Sequence, residues 1–471
     1  MAGERVELPL GEVCDVKQGR YLGPGDMSEV KNEQTPIPVI GANGILGYTD
    51  KSSYKEPVTL VTCRGSNCGM LQRTAGPTWI SNNAMACPPK KPHDSRYIHY
   101  VLQSTDFGEV VTGSAQPQIT TGHLNTKVVT ITRDPAEQKA IAAVLGALDD
   151  KIELNRRMNA TLEAMARALF QSWFIDFDPV RWNLDHNQPS PQPSPNGRGS
   201  KDREKHELPS PNSSPTGRGQ GEGAQLGRRA GDEGAFGIID ARPPAGLDQA
   251  TAALFPEHFE HGEHGMLPVG WRHAAIEEVC AINAWTLGKN DDLETLEYVE
   301  ISEVSRGNIA NIATYTRGDE PSRARRRLRH GDTVLSTVRP DRGSYFLALN
   351  PPENRVASTG FAVLTPTTAP WSFIHAAMTQ PEVSDHLGQM ADGGAYPAVR
   401  PEIIGAMKIA VPNEPKILEA FHRTCAPLFE QAEANRTQSR TLATLRDTLL
   451  PKLLSGELSV AALETKPEAA R

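Results

Sequence analysis

One stretch of sequence, from Asp134 to Trp173, most constrains what this chain can fold into. Asp134 can cap a helix, Pro135 suits the first helical position, and Glu137 stands three residues after the cap. No further proline interrupts the stretch. Residues that are apolar, except for two asparagines in the middle, recur in it at alternating spacings of four and three. This pattern predicts a long helix with a heptad seam, formed by Ile141, Leu145, Leu148, Ile152, Asn155, Asn159, Leu162, Ala166, Leu169 and Trp173.

The same pattern returns near the end of the chain. Positions 113–174 align without a gap on positions 393–454, an offset of 280, and identical residues include the pairs Pro135/Pro415 and Asn155/Asn435. The chain is therefore predicted to be an internal duplication. The second seam consists of Phe421, Cys425, Leu428, Ala432, Asn435, Ser439, Leu442, Arg446, Leu449 and Leu453.

Each seam needs a partner, and we expect the two helices to form an antiparallel coiled coil related by a pseudo-twofold axis. Two unrelated amphipathic helices, each packed on its own domain, are the alternative. Asparagine at a core position costs stability but selects one register, and an antiparallel pair would let Asn155 meet Asn435. We also expect Pro451 to interrupt the second helix, whereas Gln171 continues the first.

The sequence around the helices predicts two mixed α/β domains, at residues 1–133 and 266–412. In the first, strands are predicted at 37–40, 58–63, 78–81 and 127–132, with a short helix at 95–104. The second repeats its plan, because IEEVC at 276–280 echoes LGEVC at 10–14 and GGAYPAV at 393–399 echoes GSAQPQI at 113–119. The long helices are placed at 134–180 and 413–458.

A polar segment separates the two halves. Residues 181–265 are predicted to be a linker with a disordered insertion at about 187–237, where PSPQPSPNGRG recurs as PSPNSSPTGRG. A proline-rich docking ligand is the alternative for this insertion. A flexible tail is predicted at 459–471.

Composition bounds the class of protein. The chain is 38% apolar, its mean hydropathy is −0.44, and it contains no apolar run long enough to span a membrane, so we expect a cytoplasmic protein. A net charge of −8 argues against nonspecific nucleic-acid binding by the whole surface but allows a local basic face. Cys63, Cys68, Cys87 and His93 could hold zinc, yet their spacing favours reduced structural thiols and no metal.

No catalytic constellation emerges from the motifs. Asn350-Pro351-Pro352-Glu353 resembles the Asn-Pro-Pro-aromatic motif of adenine methyltransferases, but Glu353 replaces the base-stacking aromatic residue and no Gly-rich cofactor loop precedes it. A proline-containing turn is the simpler interpretation. Phosphate loops, nucleophile elbows and zinc-protease motifs are absent from the sequence. We therefore expect a non-catalytic protein.

Polar loop residues are the remaining functional signal, since Asn, Gln and Arg can contact base edges and Lys and Arg can contact phosphates. Each residue alone is more often a solvated turn former. The candidates in the first domain are Lys17, Gln18, Asn43, Lys51, Arg64, Ser66, Asn67, Asn82, Asn83, Gln116 and Gln118. Those in the second are a dense arginine run, Arg323, Arg325, Arg326, Arg327 and Arg329, together with Arg306, Arg339, Arg342, Tyr396 and Arg400.

Three segments resemble the specificity subunit of type I restriction-modification systems. They are AEQKAIAAVLGALDDKIELNRRMNATLEAMARALFQSWFIDFDPV, the ending LRDTLLPKLLSGEL, and PVIGANGILGYTD at 38–50. The resemblance implies two target recognition domains that each read one half of a split double-stranded DNA sequence. It further implies that the two helices hold these domains apart and dock two methyltransferase subunits.

The resemblance also implies where the chemistry resides. The methyltransferase subunits would carry S-adenosylmethionine and methylate adenine, and motor-nuclease subunits using ATP and Mg²⁺ would join for cleavage, so the chain itself needs no cofactor. Two alternatives remain open: a stand-alone DNA methyltransferase, which would bind S-adenosylmethionine by itself, and a coiled-coil scaffold, which would be indifferent to DNA.

Overall fold

A computed structural model describes residues 4–113, 116–186, 247–263, 265–288, 291–394 and 396–464. The chain forms two compact units: unit 1 comprises Met1–Arg156 and Thr437–Arg471, and unit 2 comprises Arg157–Arg436. Both long helices therefore contribute one part to each unit. The predicted insertion at 187–237 and the last seven residues of the predicted tail lie outside the described residues.

The strands of unit 1 form small antiparallel and mixed sheets. Strand β1 pairs with β9, β2-β8-β5-β6 form a second sheet, and β4-β3-β7 form a third in which β3 and β7 are parallel. Their bounds are β1 Arg5–Pro9, β2 Lys17–Gln18, β3 Ile37–Gly41, β4 Gly44–Thr49, β5 Thr59–Thr62, β6 Leu71–Arg73, β7 Trp79–Ile80, β8 Ala84–Ala86 and β9 Val128–Thr132. The strand predictions are confirmed by β3, β5, β7 and β9. Of the others, β2, β6 and β8 have three residues or fewer and β4 contains Gly44 and Gly47, so they give little strand signal; β1 was missed as well.

Short helices and the first long helix complete the sheet-bearing part of unit 1. They are α1 Leu10–Val13, α2 Ser95–Gln103, α3 Thr121–Thr126 and α4 Pro135–Phe170. The predicted helix start of α4 is confirmed, because the Asp134 carboxylate accepts a hydrogen bond from the Ala136 N–H at 2.9 Å. Glu137 additionally accepts from Arg5 at 2.9 Å, which ties the start of α4 to β1.

Within unit 1, the first part of α4 packs against the end of the second long helix, α11 Pro415–Ser455. Arg446 donates to Asp149 at 2.8 Å, and Asn155 donates to Ser439 at 3.2 Å. Because the residue numbers rise on one helix as they fall on the other, the two segments run antiparallel. Predicted seam residues that lie buried or half-buried here are Ile141, Leu145, Leu148, Ile152, Asn155, Leu442 and Leu449.

Unit 2 contains sheets with a similar strand order. Strand β12 pairs with β23, β13-β22-β19-β20 form one sheet, β17-β14-β21-β18 form another, and β10-β11 and β15-β16 are hairpins. The bounds are β10 Phe259–Gly262, β11 Gly265–Pro268, β12 Trp271–Ala275, β13 Cys280–Ile282, β14 Thr295–Val299, β15 Val304–Ser305, β16 Asn308–Ile309, β17 Ala313–Thr316, β18 Ala324–Arg327, β19 Asp332–Ser336, β20 Tyr345–Ala348, β21 Arg355–Ser358, β22 Phe361–Pro366 and β23 Lys408–Pro412.

The helices of unit 2 surround an aromatic core. Rings of Phe170, Trp173, Phe174, Phe373 and Phe421 contact one another at centroid distances of 4.8–6.4 Å. Edge-to-face contacts dominate, which is the favoured geometry for aromatic pairs. The helices are α5 Asp178–His186, α6 Gln249–Ala252, α7 Ile276–Val279, α8 Trp371–Met378, α9 Pro381–Gln389 and α10 Pro401–Ala406, and α12 Val460–Glu464 belongs to unit 1.

The helix segments of unit 2 are also antiparallel, since Asn159 contacts Asn435 whereas Phe170 contacts Phe421, and polar residues pair across the seam. Asn435 donates to the Asn159 side chain at 2.9 Å, and Asn159 donates to the Ala432 carbonyl at 3.0 Å. Arg436 forms an ion pair with Glu163 beside them. Predicted seam residues that lie buried or half-buried in unit 2 include Leu162, Leu169, Phe421, Leu428 and Asn435.

The expected interruption at Pro451 is wrong. Helix α11 continues through Pro451 to Ser455, although a proline removes one backbone hydrogen bond and costs about 3 kcal/mol in a helix interior. Leu450, Leu453 and Leu454 are buried in the core of unit 1, so packing offsets that loss. The first helix changes instead, because Gln171–Ile175 forms a π-helical turn.

The predicted linker and tail are more ordered than expected at their described ends. Asn183 of α5, 4% exposed, donates to the carbonyls of Ala252 and Phe255, both at 2.9 Å, so residues on either side of the insertion share the core of unit 2. Helix α12 occupies part of the predicted tail, and Val460 packs against the core of unit 1. The sequence missed both features because their partners are distant in the chain.

Among the helices that the structure describes, none combines the length and apolar character that crossing a membrane requires.

Candidate nucleic-acid interface

In unit 1, a hairpin turn and a neighbouring loop bring two predicted asparagines together. Asn43 lies in the turn between β3 and β4, and the Asn67 amide donates to the Asn43 side-chain oxygen at 2.7 Å. Thr62 donates to the Ala42 carbonyl at 3.2 Å, which anchors the turn to β5. The pair retains amide groups on a solvated turn, where they can contact further partners.

A third segment joins this pair. The Gly65 N–H donates to the Pro117 carbonyl at 3.1 Å, and the Gln118 backbone bridges to Arg64. Exposed Gln116 and Gln118 therefore lie beside the loop of Arg64. We call Asn43, Arg64, Ser66, Asn67, Gln116 and Gln118 the amide cluster.

The two predicted lysines of unit 1 lie elsewhere and are already paired. Lys17, on β2, forms an ion pair with Asp15, and the hydrogen bond to that carboxylate raises the pKa of Lys17. Lys51 pairs with Asp26 at 2.8 Å. Both lysines are exposed, so their charges are compensated locally rather than added to the amide cluster.

Gln18, Asn82 and Asn83 lie at the other end of the β2-β8 pair. The Gln18 amide donates to the Asn82 carbonyl at 2.9 Å, and the Asn83 N–H donates to Ser81 Oγ at 3.4 Å. These contacts are typical of turn residues. The structure therefore does not gather all the sequence candidates of unit 1 at one place.

The arginine run of unit 2 is part of a sheet rather than a freely exposed patch. Ala324–Arg327 forms β18, and the side chains of Arg325, Arg326 and Arg327 are half-buried. Arg327 lies 3.5 Å from Asp291 and 3.3 Å from Glu353, and Arg325 lies 3.9 Å from Glu320.

Burial sets the properties of the middle arginine of the run. It lowers the pKa of Arg326, whose Nε has no hydrogen-bond partner among the described residues. Arg323 and Arg329 remain exposed, but Arg329 lies over the Trp285 ring, 3.1 Å from its centroid. The sequence showed the charge of this run but not the carboxylates and the aromatic ring that contact its side chains.

A different group of predicted residues converges in unit 2. The Arg306 N–H donates to the Gly343 carbonyl at 2.9 Å, and the Arg342 N–H donates to the Arg339 carbonyl at 3.0 Å. The Arg339 guanidinium lies over the Tyr396 ring, 4.7 Å from its centroid. Within the part of the chain that the structure describes, Arg306, Arg342 and the exposed Arg400 form no ion pair. We call Arg306, Arg339, Arg342, Tyr396 and Arg400 the arginine cluster.

The segment resembling a methyltransferase motif is a turn. Asn350 adopts a left-handed backbone with φ 46° between β20 and β21, and its side chain contacts His330 at 2.9 Å. Glu353 is the partner of Arg327 described above. The segment therefore reverses the chain and supports the arginine run.

Sequence reasoning missed several exposed apolar residues near these clusters. Ile45 and Leu46 follow the Asn43 turn, and Met70 follows the Asn67 loop, each more than half exposed. Trp285, the partner of Arg329, was also missed. An apolar residue beside a turn gives no periodic signal, so only its exposure in the fold identifies it.

Within the described residues, no three or more His, Cys, Asp or Glu side chains are placed to hold a metal ion. Cys14, Cys63 and Cys87 are buried, and burial raises the pKa of each thiol. The chemistry that these units present is hydrogen bonding by amides and charge contact by guanidinium groups.

Residues 4–164 match the family model described as "Type I restriction modification DNA specificity domain". These residues include the amide cluster and the first part of α4. They are therefore similar to such a domain, and the resemblance to specificity subunits predicted from the sequence is confirmed.

Relatives resemble the chain over a longer span. It is 24% identical over 387 residues, 76% of this chain and 75% of the relative, to the HindI specificity subunit of Haemophilus influenzae. It is 24% identical over 380 residues, 80% and 72% of the two chains, to the MjaIX specificity subunit of Methanocaldococcus jannaschii. Both relatives are type I restriction enzyme subunits.

A solved structure has a similar fold. The S subunit of a type I restriction-modification system from M. genitalium matches with a TM-score of 0.53 and 14% identity, and the match covers 96% of each chain.

Proposed function

We propose that this chain, whose residues 4–164 match a type I DNA specificity domain, is the subunit that selects the DNA sequence on which a restriction-modification complex acts. Unit 1 would read one half of a split double-stranded target and unit 2 the other half. The chain itself would perform no catalysis. The observation that carries this proposal is the coincidence of the matched domain with the exposed amide cluster.

The two clusters have the chemistry that DNA recognition requires. Amides can make bidentate contacts to adenine, and guanidinium groups can contact guanine or phosphate. The arginine cluster also supplies local positive charge on a chain whose net charge is −8. This local charge supports DNA contact by unit 2 although the net charge of the chain is negative.

The similar strand order of the two units supports an internal duplication, in which each half contributes one recognition domain and one long helix. Helix α4 has 36 residues and α11 has 41, which correspond to about 54 Å and 62 Å at 1.5 Å per residue. We propose that their length determines how many unread base pairs separate the half-sites.

A matched deletion tests this ruler. Removing residues 151–157 and 437–443 takes one heptad from facing stretches of the helices and shortens each by about 10 Å. The spacer in the methylated sequence should shorten by about three base pairs, at 3.4 Å per pair. As a control, replacing the same residues one for one with another heptad should keep the spacer. An unchanged spacer in a folded deletion variant would contradict the ruler.

Exposed apolar side chains on the helices support docking of methyltransferase subunits. Met158 and Met165 lie seven residues apart on α4, 38% and 49% exposed, and Leu154 and Leu445 are exposed on the segments in unit 1. Apolar side chains at this spacing share one helix face. The partners would supply S-adenosylmethionine, and motor-nuclease subunits would supply ATP and Mg²⁺ chemistry, in the cytoplasm where the DNA is.

The central experiment expresses the full chain in a host together with type I methyltransferase subunits and maps methylated adenines by sequencing. We expect one split sequence to be methylated only when the chain is present. Methylation that is the same without the chain would contradict the proposal. Methylation by the isolated chain with S-adenosylmethionine would instead favour a stand-alone methyltransferase.

A further inference from the structure

We infer that Arg339, stacked on Tyr396, reads a guanine in the half-site bound by unit 2. This inference rests on the proposed function and deepens it, because it assigns a base to one side chain. It also separates the arginines of unit 2 into a base reader, its charged neighbours and structural residues.

The backbone around Arg339 is held by the segment that follows Tyr396. The Arg339 N–H donates to the Pro397 carbonyl at 2.8 Å, and the Val399 N–H donates to the Thr337 carbonyl at 2.8 Å. These bonds fix the loop that carries Tyr396 alongside Arg339. Both of these anchors follow Tyr396, and the paired backbone bonds between Asp392 and Ala398 close the loop before it, so the ring is held beside the guanidinium.

The conformation of Arg339 is unfavourable for any residue with a side chain. Its φ is 47°, in the left-handed region where glycine is preferred. Unit 1 makes the same backbone contact with a glycine: Gly65, with φ 89°, donates to the Pro117 carbonyl at 3.1 Å. The turn therefore does not need an arginine, and strained residues that persist in folded proteins cluster at functional sites.

The stacked guanidinium is suited to a guanine edge. Arginine presents a planar fork that pairs with O6 and N7 of guanine in the major groove, the commonest specific contact to DNA. The Tyr396 ring restricts the plane of this fork, so less freedom is lost when it binds. Tyr396 is 72% exposed, which leaves the pair accessible to a DNA groove.

Neighbouring arginines can supply the phosphate contacts that position such a reader. Arg306 and Arg342 flank Gly343 on the same surface, and within the described residues neither stacks on an aromatic ring. Another stacked arginine, Arg329, follows β18, and its backbone N–H donates to the buried Asp332 carboxylate at 2.7 Å. Arg329 is therefore built into the sheet edge rather than into the loop cluster.

The test replaces Arg339 with glycine, the residue that unit 1 uses at its equivalent contact. Arg339→Gly removes the guanidinium and relieves the left-handed strain, so the variant should unfold at the same or a higher temperature than the wild type. Mapped in cells with the methyltransferase subunits, methylation should lose its requirement for one guanine. Discrimination at that position should fall about 5- to 150-fold, the range for one bidentate pair.

Controls separate base reading from strain and from charge. Asn350→Gly relieves a left-handed φ of 46° away from the cluster and should leave the methylated sequence unchanged. Arg329→Ala removes a different stacked arginine and should also leave the methylated sequence unchanged. Arg339→Lys keeps the charge without the fork and should relax the same single position as Arg339→Gly.

Two results would overturn the inference. One is an unchanged methylated sequence for Arg339→Gly with a salt slope of binding that falls by about one, which would assign Arg339 to a phosphate. The other is relaxation of the sequence by Arg329→Ala at the same position. Failure of the proposed function is distinguishable, because the wild-type chain would then direct no sequence-dependent methylation at all.

Discussion

Unit 1 and unit 2 present different chemistry on sheets of similar strand order. In unit 1 the gathered candidates are amides with one arginine, and Lys17 and Lys51 are neutralised by Asp15 and Asp26. In unit 2 the arginine cluster carries four guanidinium groups and an exposed aromatic ring. The strands conserve the scaffold, while the loops between them determine which base edges or phosphates each unit can contact.

The contrast predicts different energetics for the two units. Phosphate contacts give affinity that depends steeply on salt, whereas amide contacts to bases give discrimination with little salt dependence. Unit 2 should therefore contribute more of the salt-dependent affinity. Unit 1 should contribute discrimination that persists at higher salt.

The helix segments differ between the units as well. In unit 2 they pack through aromatic rings and an ion pair between Glu163 and Arg436. In unit 1 they pack through aliphatic side chains, and Asp149 is held by both Arg446 and Tyr100, at 2.8 and 2.5 Å. Loss of a single side chain should therefore lower the free energy of unfolding more in unit 2 than in unit 1.

The largest expected effect is on the aromatic core. Phe421→Ala removes a fully buried ring that contacts four other rings, and it should lower the free energy of unfolding of unit 2 by about 3–5 kcal/mol. Urea denaturation followed by tryptophan fluorescence measures this loss. Leu449→Ala, at a half-buried seam position in unit 1, is the control and should cost less. A loss below about 1 kcal/mol for Phe421→Ala would contradict the prediction that the helix packing of unit 2 is the more sensitive of the two.

The next effect concerns the two ion pairs across the helices. Arg436→Met leaves the largely buried Glu163 carboxylate without its partner and should cost about 2–4 kcal/mol at pH 8. The matched change in unit 1, Arg446→Met, should cost less because Tyr100 still donates to Asp149. Equal losses in the two units would show that the second donor is unimportant.

The Arg436→Met variant should also acquire a pH dependence. Burial already raises the pKa of Glu163, with Arg436 opposing that shift, so removing the arginine should raise the pKa further. A carboxyl whose pKa is raised in the folded state favours folding most when it is protonated, so the protein is more stable at low pH. The deficit should therefore be small near pH 4 and grow as the pH rises through the folded pKa. Adding Glu163→Gln should abolish this dependence in a denaturation series.

A smaller effect is expected for base discrimination by unit 1. Asn67→Ala removes a half-buried amide from the amide cluster and should cost about 1–3 kcal/mol of preference at one adenine position. Competition binding with single-base substitutions measures it, and the salt slope should not change. A lower slope with unchanged preference would mean that unit 1 also contacts phosphate.

The smallest expected effect separates the arginine cluster from the arginine run. Arg342→Ala should lower the salt slope of DNA binding by about one, because it removes a charge that no carboxylate compensates among the described residues. Arg327→Ala should leave the slope unchanged, since Asp291 and Glu353 already compensate Arg327. A lower salt slope for Arg327→Ala with an unchanged slope for Arg342→Ala would assign the phosphate contact to the arginine run.

The sequence by itself determined the long helices, the antiparallel seam and the resemblance to specificity subunits. These features are readable because a heptad pattern is local: each residue takes its environment from neighbours three and four positions away. The strands at 37–40, 59–62 and 128–132 were readable for a similar reason, since turn residues bound them. The continuation of α11 through Pro451 was not, because packing by Leu453 offset a local penalty.

Only the tertiary structure decided which candidate residues act together. Arg327 meets Asp291 and Glu353, and Arg339 meets Tyr396, across separations of 26 to 57 residues, and no local pattern encodes such encounters. The arginine run consequently looked like the strongest signal in the sequence, although carboxylates compensate Arg325 and Arg327 in the fold. Arg306, Arg342 and Arg400, which form no ion pair within the described residues, lie in the arginine cluster, because loop anchoring places side chains that sequence spacing leaves apart.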